Sequence, residues 1–242
     1  MTMGQIKTLA KYKDDNGREI VLTDVDLVRV ISDNPAVTQR EMKLFVELCK
    51  AQRLNPFIKE AYLVKYGDSP ATIVVGKDVF TKRAARNPRF RGYEAGLSIM
   101  TRDGRMVRRE GSMTLKGEQV VGGWCRVHID GYEAPMFDEV GFDEYAGRKR
   151  DGSLNKTWAS KPNTMIRKTA IVHALREAFP ADFQGMYDGA EMGIEVPAGA
   201  EDPIEPTAVE APEEAEAVDV EDAGGVHADD GGEEPEYEMR EF

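Results

Sequence analysis

Cysteine is nearly missing from this 242-residue chain: Cys49 and Cys125 stand 76 positions apart. They form neither a CxxC ligand pair nor a disulfide framework, and such sparse thiols suit a reducing compartment. No run of 18 apolar residues occurs, and the first thirty residues are charged throughout. Neither a membrane span nor a secretory leader is expected, so the reading is a soluble, cytoplasmic protein. The phosphate-cradling pattern GxxxxGK[ST] is missing too. Gly76-Lys77 resembles its end, but Ala71 stands where its first glycine should be and Asp78 where its hydroxyl should be, which excludes an ATP-driven machine of that class. His128, His173 and His227 are far apart and join no HExxH or Cys/His cluster, so no zinc is expected. No nucleophile elbow or catalytic-cysteine signature occurs. The expectation is a protein without catalytic residues, metal or cofactor.

Charge of both signs is abundant but segregated. The totals are 32 Lys plus Arg against 44 Asp plus Glu. Residues 193–242 hold 18 of the acids and one base, Arg240, a net of −17, which leaves 31 bases and 26 acids in residues 1–192, a net of +5. A basic body with an acidic tail is a pointer to nucleic acid. The tail is Pro, Glu, Ala, Asp and Gly with few large apolar residues, too little to repay the entropy of ordering. The division read from this is a binding domain over 1–192 and a disordered acidic tail over 193–242. The tail ends in Tyr237-Glu-Met-Arg-Glu-Phe242, an aromatic tip that reads either as a docking peptide or as the end of a solubilising tail.

Local patterns in the body predict an α+β fold with one core. Thr38 and Glu41 are spaced as a capping box, and Met42, Phe45, Val46 and Cys49 recur at helical spacing, which predicts a helix over 39–53. A shorter helix is expected over 24–31, from Val25, Val28 and Ile31. Residues 61–66 and 71–75 read as a hairpin across Gly67-Asp68-Ser69-Pro70, and 78–86 as a helix stopped by Asn87-Pro88. Period two dominates 90–140, with turn signals at Asp103-Gly104, Lys116-Gly117 and Asp130-Gly131. These predict an antiparallel meander of three or four strands. A long C-terminal helix is expected over 164–179, between Pro162 and Pro180.

Two segments concentrate positive charge. Residues 77–126 hold 12 bases and five acids, and residues 148–176 hold eight bases and one acid, a net of +7 each. In the second, Lys156, Trp158, Lys161, Arg167 and Lys168 combine cations, an aromatic and the start of a helix. Together these offer phosphate contacts, helix-end amides and a stacking surface, although a Trp just before a helix also packs readily into a core. Projected on a helix, Lys168 lies in line with Val172, Leu175 and Phe179. A buried unpaired ammonium is costly, so either it snorkels outward or the stripe's first turn lines a groove that takes an anion. The acids Asp130, Glu133, Asp138, Glu139, Asp143 and Glu144 have no base among them and match no metal spacing. A solvated strand edge, or an acidic surface meeting a basic one on a neighbouring subunit, is the better reading.

Several blocks also resemble a known family. These are Leu54-Asn-Pro-Phe-Ile-Lys-Glu-Ala-Tyr62, Val75-Gly-Lys-Asp78, Asn87-Pro-Arg-Phe-Arg-Gly92, Trp158-Ala-Ser-Lys-Pro-Asn-Thr-Met-Ile-Arg-Lys-Thr-Ala170, Ala174-Leu-Arg-Glu-Ala-Phe-Pro180 and Gly185-Met-Tyr-Asp188 through Glu191. In order, from about residue 38 to 192, they are similar to the phage single-strand annealing proteins of the RecT, Bet or Redβ type. The resemblance implies an ATP-independent recombinase of the host bacterial cytoplasm. Such a protein coats single-stranded DNA and pairs it with its complement as a homo-oligomeric ring or helical filament. It also implies a 5′ to 3′ exonuclease and the host single-strand binding protein as partners, and DNA contacts at Lys161, Arg167 and Lys168, with Lys77 and Lys82 aligned less securely. Some members bind those partners through a helical C-terminal domain, where this chain has the acidic tail. The alternative is a passive single-strand binder, expected as an OB barrel.

Overall fold

The computed structural model describes residues 6–30, 36–65, 67 and 69–192. The chain separates into units 1–208 and 209–242, and everything described belongs to the first. Ile31, Tyr66, Asp68 and the acidic segment 193–242 lie outside the described residues.

The structure is an α+β fold of short helices and antiparallel sheets. Strands β1 (Thr8–Lys13) and β2 (Glu19–Thr23) pair antiparallel, turning through Gly17 at φ 79°. Ala10, Ile20 and Leu22 are buried on their inner side. Helix α1 (Asp24–Val30) starts on a reciprocal cap: Asp26 N donates to Thr23 Oγ1 at 3.2 Å, and Thr23 N donates to Asp26 Oδ2 at 3.1 Å.

Helix α2 (Gln39–Ala51) begins at the capping box that the sequence predicts, an arrangement that contributes about 1 kcal/mol through its N-cap. Thr38 N donates to Glu41 Oε2 at 2.7 Å, and the same carboxylate accepts from Lys65 Nζ at 2.9 Å and Ala71 N at 2.8 Å. The cap thus also ties α2 to the hairpin of β3 (Ala61–Val64) and β4 (Thr72–Val75). These donors hold the Glu41 carboxyl down at about 2. Asn55 caps a 3-10 turn, Pro56–Ile58, which ends on Lys59 in the left-handed region, φ 61° and ψ 33°. Helix α3 (Lys77–Arg86) follows β4 directly.

The main sheet comprises β5 (Phe90–Met100), β6 (Met106–Glu110), β7 (Gln119–Ile129) and β8 (Met136–Gly141). All pairings are antiparallel, and the spatial order is β6-β5-β7-β8, so β7 crosses to the far side of β5 instead of continuing beside β6. The three predicted turns hold glycines at positive φ: Gly104, Gly117 and Gly131. Two short helices, α4 (Phe142–Tyr145) and α5 (Lys156–Ser160), lead to α6 (Pro162–Ala178).

Helix α6 lies across the inner sheet face, burying Ile166, Ala170, Ile171, Val172, Ala174 and Leu175 against Leu97, Val127 and their neighbours. The contact is close because β7 carries Gly123 there. A Cβ on Gly123 would stand 2.5 Å from the carbonyl oxygen of Ile166, so any side chain would lift the helix. Cys49 and Cys125 are both fully buried in this core. Burial pushes both thiols up, that of Cys125 to about 12.

Candidate nucleic-acid interface

The stripe that begins at Lys168 is apolar below it: Val172, Leu175 and Phe179 are buried. The ammonium at its head is met from within the chain. Lys168 Nζ lies 3.0 Å from Asp188 Oδ2, with the lysine side chain 25% and the aspartate 1% exposed. Burial raises the Asp188 carboxyl above its ordinary value, while Lys168, the amide of Ala190 and Lys77 oppose that rise. The stripe therefore carries its cation because the turn after α6 supplies a buried carboxylate, a partner that neither sequence-level alternative included.

This pair forms one wall of a cavity of about 490 Å³. The other walls are the left-handed turn at Lys59, the strands at Tyr62 and Val74, and the first two turns of α3 with Lys77 and Lys82. The walls are joined by main-chain bonds: Gly76 N donates to Glu60 O at 3.1 Å, and Val75 N donates to Tyr187 O at 2.8 Å. A Cβ at Gly76 would stand 3.2 Å from the Lys59 carbonyl oxygen, a tight contact that glycine avoids. As the N-cap of α3 it provides no side-chain acceptor, so the helix's positive end faces the cavity with backbone amides alone.

Four lysines, Lys59, Lys77, Lys82 and Lys168, share the lining with Glu60, Asp78 and Asp188. Lys82 Nζ is 2.7 Å from Glu60 Oε1 but its side chain remains 45% exposed, and Lys77 makes a loose 3.7 Å pair with the outward Asp78. The arrangement can accept a chain of phosphates, each arriving group exchanging for a carboxylate already near a lysine. It offers no catalytic constellation among the described residues.

Three of the residues singled out from sequence thus come together, Lys77, Lys82 and Lys168. Four do not line the cavity. Arg167 donates through Nε to the Ala95 carbonyl of β5 at 3.2 Å, because one position along a helix turns the side chain by about 100°, here onto the sheet. Trp158 is fully buried, edge-on to Phe142 at 5.6 Å, so no base can stack on it; Asn155 caps α5 and turns the ring inward. Lys156 and Lys161 are exposed at the two ends of α5. Lys59 was missed; it sits in a block whose Asn-Pro announces a turn, but nothing in that block marks the left-handed residue.

Much of the remaining positive charge is spent internally. Arg83 bonds Asp15 at 2.8 Å, Arg109 bonds Glu118 at 2.6 Å, and Arg126 bonds Glu94 at 3.0 Å. The acidic run is used similarly: Asp130 pairs with Arg91 at 3.0 Å, Asp138 with His173 at 2.6 Å, Glu139 with Arg108 at 2.5 Å, and Asp143 with Arg148 at 3.0 Å. No cluster of three or more metal-ligating side chains occurs among the described residues, and no helix among them is long and apolar enough to cross a membrane.

The described residues thus form an α+β body with a lysine-lined cavity at a helix end that no side chain caps. The RecT family model matches residues 23–208, and the chain belongs to that family. RecT proteins bind DNA and anneal single strands in recombination. The chain is also similar to "Uncharacterized protein UU154" of Ureaplasma parvum serovar 3 (strain ATCC 700970), at 30% identity over 169 residues, covering 68% of this chain and 67% of that one.

Proposed function

We propose that this protein anneals complementary DNA strands without ATP, acting as a homo-oligomer, and that it holds the single strand by its phosphates in the cavity of Lys59, Lys77, Lys82 and Lys168. The observation that carries this reading is the meeting of those lysines in one cavity with the N-terminus of α3, which no side chain caps. Annealing breaks no covalent bond; it needs two polyanions neutralised and contacts that ignore sequence, and phosphate contacts meet both needs. A 5′ to 3′ exonuclease and the host single-strand binding protein are the protein partners that go with this reading.

The test is to mix complementary oligonucleotides with purified protein, without nucleotide or metal. The expected result is faster duplex formation with both strands intact. A passive binder covers bases and slows pairing, so binding with retarded pairing refutes the annealing role. Shortened strands on adding Mg²⁺ point to a nuclease. Lys77→Ala, Lys82→Ala and Lys168→Ala should each weaken binding alike for all sequences and flatten the slope of log affinity against log salt by roughly 0.7 per contact.

A further inference from the structure

An antiparallel sheet of four strands has two edges that run in opposite directions. Here those edges are β6 and β8, and among the described residues neither makes a backbone hydrogen bond on its outer side. An open strand edge is a template for pairing with another chain, and proteins usually cover or blunt it. Neither edge is short of apolar surface. Along β6 and the loop after it, Met106 is 54% exposed, Met113 67% and Leu115 58%, and beside β8 Tyr132 is 54% and Phe137 41% exposed.

The two edges also differ in sign. Residues 101–116 hold five bases and two acids, a net of +3, while residues 130–144 hold six acids and no base, a net of −6. Four of those acids have partners within the chain, as do Arg105, Arg108 and Arg109 of the first segment, which leaves Arg102 and Lys116 on one edge and Glu133 and Glu144 on the other without an ion pair among the described residues. DNA suits the first edge and is repelled by the second. One partner complements both edges at once, which is another copy of this chain.

We propose that copies join head to tail, with β6 of one subunit adding antiparallel to β8 of the next, so that the four-stranded sheets run on as one through the assembly. The strand directions allow it without reversal: β6 runs opposite to β8 within the sheet, so β6 of a neighbour laid beside β8 continues the alternation. The strands match in length, five residues against six. Such a contact is heterologous and repeats, giving a ring where the rotation closes and a helical filament where it does not. The inference names the partner surface for the oligomer in the proposed function and rests on that reading.

The test reverses the charge of one edge at a time in the full chain. One variant carries Arg105→Glu and Lys116→Glu, the other Glu133→Lys and Glu144→Lys, and light scattering reads their mass with and without single-stranded DNA. Wild type should assemble, each variant alone should fall towards the 26.9 kDa monomer, and an equimolar mixture of the two should regain the wild-type mass. Far-ultraviolet circular dichroism checks folding, and if a double variant is unfolded the single changes Lys116→Glu and Glu133→Lys replace it. A variant that assembles like wild type, dispersed variants whose mixture stays dispersed, or a monomeric wild type overturns the proposal. Binding to a short oligonucleotide should survive in both variants, since none of the four residues lines the cavity. Normal assembly with no annealing would refute the annealing function and leave the sheet-edge contact standing.

Discussion

Replacing Lys168 by Met keeps the apolar stripe of α6 continuous and removes the cation 3.0 Å from Asp188. The carboxylate, 1% exposed, then keeps the amide of Ala190 at 2.8 Å as its close donor. Breaking a buried pair by removing one partner costs about 3–5 kcal/mol. The lysine is a quarter exposed, which discounts its half of the attraction and places the expectation near the lower end, about 3 kcal/mol. With a urea dependence of about 2 kcal/mol per molar, the unfolding midpoint should drop by roughly 1.5 M. The loss should depend on pH with a definite sign. Burial already raises the Asp188 carboxyl in the folded protein, and a raised acid favours the fold below its unfolded value and loses that contribution as pH rises through the folded one. Without Lys168 the rise is larger, so Lys168→Met should be weakest at neutral pH and above, and recover as pH falls into the carboxylate range. Adding Asp188→Asn should recover most of the loss at neutral pH, while Asp188→Asn alone should steepen the salt dependence of DNA binding by leaving the ammonium free. Urea melts of all three variants at pH 5 and pH 8 decide the matter. A Lys168→Met protein within about 0.5 kcal/mol of wild type at both pH values would refute the buried-pair argument, since that is the ordinary scatter of surface substitutions.

Gly123→Ala should cost about 1–3 kcal/mol by overpacking, because its Cβ would meet the Ile166 carbonyl at 2.5 Å; chemical denaturation measures it, and a neutral result would show that α6 shifts freely on the sheet. Glu41→Gln should destabilise the protein at neutral pH and flatten its acid unfolding, since a carboxyl held at about 2 supports the fold above its ordinary value near 4.5 and loses that support as pH falls through about 2. An unchanged acid limb would contradict this. Deleting residues 193–242 changes the net charge from −12 to +5; single-stranded DNA binding should tighten at low salt, with the advantage shrinking as salt rises, and equal affinity at low salt would remove the electrostatic role of that segment.

Features written in adjacent residues were legible in the sequence. The Thr38/Glu41 box, the Asn87-Pro88 stop and the three glycine turns act over a few positions, and each is found where the pattern puts it. The β1 and β2 hairpin was not read, because its strands are only six and five residues long and β1 buries Ala10 alone, although Lys11 and Lys13 alternate with Ala10 and Tyr12 as a half-buried strand requires and Asn16-Gly17 carried a turn signal. The binding surface was legible only as charge. Which cations converge depends on how α3, α6 and the turn at Lys59 pack, and net charge holds no such information. Arg167 and Lys168 each head an apolar stripe, Arg167 with Ile171 and Ala174 and Lys168 with Val172 and Leu175, all four buried, so the helical pattern alone does not tell which of the two cations reaches the cavity.

The two core thiols bear on how this protein can be studied. Maleimides and other thiol probes react with an accessible thiolate, and Cys49 and Cys125 offer neither access nor charge. The native chain should therefore behave towards such probes as a cysteine-free background. A single cysteine placed on β6, β8 or the rim of the cavity can carry a fluorophore or cross-linker without first rebuilding the core, so distances between copies and along bound DNA can be measured in the otherwise natural protein.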